Sequence, residues 1–122
     1  MAWESEDAVI AYVVEGWSGR TSEYMSRTAL QKLMYFLKDS GVPLAINHRM
    51  HYYRPYSYEV TDRIEWLEIC DAIEDISPNS RSQYCPGSNA HGPITEYRQG
   101  LDTYMTTIDN VIGEFAGRSS KE

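Results

Sequence analysis

The chain reads as a mostly helical α+β domain with a small antiparallel sheet and a C-terminal helix. Three observations predict this. Apolar residues recur at helical spacing in several separate stretches, Val9-Ile10-Val13-Val14 and Leu30-Leu33-Met34-Leu37 being the clearest. Short alternating or β-branched segments bounded by Pro, Gly, Asn and Ser lie between them. The 122 residues make one domain, long enough to bury a core without metal or disulfide support.

The elements follow in order. A first helix is expected over Ser5–Glu15, with Ser5 as cap, Glu6 and Asp7 favouring its positive end, and Gly16 and Gly19 stopping it. Ser26 or Thr28 caps a second helix, which Gly41 and Pro43 end. The alternation from Ala45 to Tyr53 predicts a strand with one buried face, closed at Pro55 because the residue before a proline is held extended. Ser57 caps a third helix with Val60, Ile64 and Leu67 inward, leaving Glu59, Asp62, Arg63, Trp66 and Glu68 for the outer side. A short strand at Ala72–Ile76, a turn at Ser77-Pro78-Asn79-Ser80 and a return strand through Gln83–Cys85 form a candidate wing. Pro86-Gly87 and Gly92-Pro93 bracket a loop. Leu101, Met105, Ile108, Ile112 and Phe115 then mark the last helix, whose short run favours a core helix while leaving a homodimer seam open. Helices followed by a strand-turn-strand wing is winged-helix order, extended by one helix, in a single domain over 1–122.

Charge is distributed unevenly. The net charge is −7. Residues 20–54 hold six bases against two acids, and residues 59–75 hold seven acids against Arg63 alone. The third helix stands where a winged helix presents its recognition helix. Its carboxylates would be repelled by phosphates, so nucleic acid is not the expected partner. A winged-helix transcriptional regulator, docking through the basic 20–54 segment, is the alternative.

Catalytic patterns are missing. Cys70 and Cys85 sit in no metal spacing and are expected as free thiols of a reducing compartment. His48 and His51 would point to opposite faces of a strand, so no metal or other cofactor is expected. No nucleophile elbow, phosphate loop or dinucleotide fingerprint occurs, and a non-enzyme is expected. The acidic N-terminus is unlike a signal peptide, and no apolar run reaches membrane-spanning length. A cytoplasmic protein without membrane contact is expected. Tyrosine is abundant, ten residues against two Phe, and four of the ten lie in Tyr52-Tyr53-Arg54-Pro55-Tyr56-Ser57-Tyr58. Tyr, Trp and Arg dominate interface hot spots. Tyr52, Tyr53, Arg54, Tyr56, Tyr58 and Trp66 are therefore the candidate partner-binding residues, with part of the tyrosine cluster reserved for packing.

The run Leu30-Gln31-Lys32-Leu33-Met34-Tyr35-Phe36 resembles the opening of the Panacea (SocA-like antitoxin) and YwgA-like families. Those families carry a His-x-Tyr-Gly-Pro-Tyr-Ser-like segment about twenty residues on, where His51-Tyr52-Tyr53-Arg54-Pro55-Tyr56-Ser57 stands here. The resemblance covers roughly residues 26–80. It implies an intracellular, non-catalytic domain that captures a protein of toxin or protease-adaptor type. The chain departs from the pattern at Arg54, where the usual residue is Gly. A guanidinium there replaces backbone freedom with a new contact group.

Overall fold

The computed structural model describes residues 3–51, 54–77 and 81–119, with His51, Arg118 and Ser119 as backbone. The element order is α1 (Ser5–Ser18), β1 (Met25–Ser26), α2 (Arg27–Asp39), β2 (Arg49–His51), β3 (Arg54–Tyr56), α3 (Tyr58–Ile69), β4 (Ile73–Asp75), β5 (Gln83–Pro86), α4 (His91–Glu96) and α5 (Arg98–Ser119). An antiparallel sheet runs in the order β1-β5-β4, with Met25 opposite Tyr84 and Asp75 opposite the same tyrosine from the other side. With α1, α2 and α3 against it, this is a winged-helix-like α+β domain, and α5 is the added C-terminal helix. The expected wing is the β4–β5 pair; its turn residues Pro78, Asn79 and Ser80 lie outside the described residues. Among the described residues, no helix is long and apolar enough to cross a membrane.

Leu33, Leu37, Ile64, Leu67, Ile108 and Ile112 are all fully buried, as their stripes require. They meet α1, whose Ala8, Ile10, Ala11, Val13 and Val14 are buried almost all round. α1 is therefore the central helix, touching α3, α4, α5 and the sheet. Its cap is not Ser5. Glu4 is the N-cap, and the Asp7 carboxylate accepts the Glu4 N–H at 2.8 Å in a capping box. α1 also runs through Gly16 to Ser18, because its packing outweighs the propensity cost of one internal glycine.

Arg63, expected outward, turns in over α1. Its guanidinium pairs with Glu4 and lies 3.3 Å from the buried Asp7 carboxylate. Burial pushes the Asp7 carboxyl above its ordinary range, against the pull of the Glu4 N–H and of Arg63.

The largest departure from the sequence reading lies between α2 and α3. Residues 45–48 do not join a strand. Val42, Leu44 and Ile46 are buried and Pro43, Ala45 and Asn47 exposed, so the alternation is real, but side chains hold the backbone. Glu6 accepts the Ala45 N–H at 2.9 Å, Glu59 accepts the Asn47 N–H at 2.7 Å, and Lys38 donates to the Ile46 carbonyl. A half-buried extended segment has the same periodicity whether or not a neighbouring strand bonds it.

The strand character begins only at Arg49, and Pro55 lies inside β3 instead of ending a strand. β2 and β3 pair as a separate two-stranded ribbon, with Arg49 opposite Tyr56, Met50 opposite Pro55 and His51 opposite Arg54. Such a ribbon has only edge strands, where proline can sit without breaking a ladder bond.

Two elements escaped the sequence reading. β1 is two residues long and shows no alternation of its own. Gly92-Pro93, expected in a loop, opens α4 instead; proline is tolerated in a first helical turn because its missing N–H has no intrahelical acceptor there. One glycine is required by close approach. A Cβ on Gly87 would stand 2.1 Å from the Asp71 carbonyl oxygen, where the chain crosses the end of α3. Asp71 itself adopts φ +61°, the left-handed turn that follows a helix.

The third helix is capped as expected. Ser57 is fully buried, and its Oγ accepts the Val60 N–H at 3.3 Å. Ser57→Ala is expected to lower unfolding free energy by about 0.5–2 kcal/mol in urea titration, through the lost cap. An unchanged midpoint would rule the cap out as a contributor.

Candidate functional site

Of the candidate partner-binding residues, Arg54 and Tyr56 lie on β3 and Tyr58 and Trp66 on α3. Tyr52 and Tyr53 lie outside the described residues. Arg54 is exposed on β3, opposite His51. Tyr56 is half-buried, and Thr61 Oγ1 donates to its hydroxyl at 2.9 Å. Tyr58, at the first position of α3, is 60% exposed and meets Tyr56 edge-on, with centroids 5.2 Å apart at 74°. Of the Tyr56–Tyr58 pair, Tyr58 is the more exposed. Met50, across the ribbon from Pro55, is 69% exposed.

Trp66 is half-buried on α3. It lies two turns beyond Tyr58, roughly 12 Å along the axis. Among the described residues no ring contact joins it to the tyrosine pair. Tyr58 and Trp66 stand two turns apart on one helix, not in one cluster.

What holds the ribbon to the core is a residue the sequence reading noted only as part of a motif. Gln31 is 2% exposed on α2. Its Oε1 accepts the Ser57 N–H at 2.9 Å, and its Nε2 donates to the Ser57 carbonyl at 3.0 Å and to Thr61 Oγ1 at 3.1 Å. The Ser57 N–H can only donate and its carbonyl only accept, so one primary amide satisfies both. Gln31 thereby fixes the junction where β3 becomes α3, and with it Tyr56 and Tyr58.

Arg54 has a second setting. It lines a cavity of about 550 Å³ together with Ser26, Arg27, Thr28, Arg81 and Ser82. Arg27 stands in the first turn of α2, and its Nε donates to the buried Tyr84 hydroxyl at 2.9 Å. Burial opposes the Arg27 charge, but the Tyr84 bond and the nearby Glu68 more than offset it and its pKa rises. Glu68 itself is pushed up by burial and by Asp75. Arg27 and Arg81 were missed as site residues. Arg27 appeared only as one charge of a basic segment, and nothing in the local sequence links Arg81 to it.

His48 precedes β2 and packs its ring edge-on against Tyr35 at 5.3 Å, with its Nε2 buried and, among the described residues, without a hydrogen-bond partner. Burial pulls its pKa down. The His51 side chain lies outside the description. Cys70 and Cys85 are free thiols, each partly exposed. Among the described residues no group of three or more His, Cys, Asp or Glu is arranged to hold a metal.

Fold and site together define a small winged-helix-like α+β domain with a displayed β-ribbon between its second and third helices. No protein-family model matches the chain, and no curated protein matches it.

Proposed function

We propose that this domain is a non-catalytic adaptor or antitoxin-like module, akin to the Panacea and YwgA-like families, that captures a partner protein. The observation that carries the reading is the β2–β3 ribbon. Among the described residues it joins no larger sheet, it displays Met50 and Arg54 outward beside the exposed Tyr58 of α3, and it is anchored underneath by the Gln31 clamp and the Ser57 cap. A rigid base under exposed aromatic, apolar and guanidinium groups reduces the entropy lost on binding. Trp66 extends that surface along α3. The partner is of toxin or protease-adaptor type, and the setting is the cytoplasm.

The test is affinity capture from native lysate, followed by binding measurements on the purified partner. Arg54→Ala and Tyr58→Ala are each expected to weaken capture by about tenfold, the scale of a hot-spot side chain. Both residues are exposed, so the melting temperature should stay within about 4 °C of wild type. A partner bound equally well by both variants would move the site elsewhere.

The regulator reading draws on the helix and sheet arrangement, which winged helices often use on DNA. The charge on α3 opposes it: Asp62 and Glu65 are exposed, and Glu59 and Glu68 partly so. Duplex DNA is therefore expected to bind weakly at physiological salt. Sub-micromolar affinity that falls steeply with added salt would reverse the order of the two readings.

A further inference from the structure

The cavity beside the ribbon brings together three guanidiniums from three separated parts of an acidic chain. Arg27 comes from α2, Arg54 from β3 and Arg81 from the segment entering β5. Ser26, Thr28 and Ser82 complete its lining. Tyr84 takes the Nε–H of Arg27, fixing that guanidinium plane and leaving its two terminal nitrogens as donors. Neither Arg27 nor Arg54 is in an ion pair among the described residues. The α2 first turn adds the Arg27 and Thr28 backbone N–H groups, which have no acceptor within the helix. Positive charges that repel each other and are held in one hollow favour an anion between them.

We infer that this cavity binds an oxyanion, carboxylate or phosphoryl, carried on a polypeptide segment of the captured partner. The inference rests on the capture reading and adds the chemistry of what is captured. Shape and charge together favour a polypeptide over nucleic acid. Acid stands near the basic hollow: Glu68 favours the charge on Arg27, and Glu65 is exposed one turn earlier on α3. A duplex laid along α3 would bring phosphates to the exposed Asp62 and Glu65, whereas a thin chain can place one anionic side chain among the arginines. Arg54 belongs both to the ribbon surface and to the cavity, so a chain lying along the ribbon reaches the hollow without crossing α3.

The experiment is fluorescence anisotropy on the full chain with two labelled peptides, hexaglutamate and a phosphoserine-bearing peptide, and a labelled 20-base-pair duplex as the third probe. At least one peptide is expected to bind more tightly than the duplex, and the tighter of the two identifies carboxylate or phosphoryl as the group taken. Arg81→Glu should weaken that peptide by about tenfold or more. Lys32→Glu, an exposed charge on α2 outside both the cavity and the ribbon, should change it by less than about twofold. Binding of neither peptide, a tighter duplex, an unaffected Arg81→Glu or an equal loss in Lys32→Glu would each overturn the inference. The capture reading fails by a different sign, a native partner indifferent to Tyr58→Ala, because Tyr58 lies outside the cavity.

Discussion

Leu67→Ala is expected to lower the unfolding free energy by about 2–5 kcal/mol. Leu67 is 0% exposed, on the face of α3 that also carries Val60 and Ile64. That face packs on α1, the buried centre of the domain. Truncation removes apolar contact and leaves a hollow that surrounding helices cannot close, since α1 is also braced by α4 and α5. The Leu67 carbonyl accepts the Ala72 N–H at 2.8 Å, so the residue also sits where α3 hands over to β4. Ile69, two positions later, is 74% exposed and provides the control. Ile69→Ala should change stability by no more than about 0.5 kcal/mol. Urea titration of the two variants side by side checks the helix register. Equal effects would mean that α3 presents a different face to the core.

Gln31→Leu is expected to lower stability by about 2–3 kcal/mol and to weaken partner capture as well. The change keeps side-chain bulk and removes three hydrogen bonds, each contributing about 0.5–1.5 kcal/mol net. Its sharper consequence is at Ser57, whose buried N–H loses its acceptor, costing about 1–3 kcal/mol by itself. The Ser57 carbonyl fares better because the Thr61 N–H also bonds it at 3.2 Å. The residual freedom is thus placed at the β3–α3 junction, under Tyr56 and Tyr58. Comparison with Ser57→Ala separates two roles. Both variants lose stability through the start of α3, but only Gln31→Leu detaches α3 from α2. A Gln31→Leu protein with wild-type stability would show that the amide is dispensable. One with lost stability and intact capture at low temperature would show that the ribbon does not depend on the clamp.

Much of the helical architecture was legible because helices report themselves locally. The Leu30, Leu33, Met34, Leu37 stripe, the Ser26 and Ser57 caps and the Gly41 stop each depend on residues within two turns. Gly41 does adopt φ +102°, and both serines accept the N–H three residues on. The segment after α2 was legible only in part. Its buried-exposed alternation through Val42, Leu44 and Ile46 is set by the sequence, yet its partners are Glu6, Lys38 and Glu59 in place of another strand. No periodicity encodes which acceptor a backbone N–H will find.

The sequence by itself determined the apolar faces of α2, α3 and α5, where two of the helices begin, and the surplus of acid on α3. It also marked Arg54, Tyr56 and Tyr58 as residues of one junction. Tertiary structure alone decided that β2 and β3 pair as a ribbon apart from the sheet, that Arg63 turns inward over Asp7, and that Gln31 ties α2 to Ser57. It also decided that Arg27, Arg54 and Arg81 share one cavity. Those arginines lie 27 positions apart at each step. Helical periodicity reaches only a few residues along the chain, while the cavity depends on where β1, β3 and β5 come to rest around a core that forms only when all of them are present.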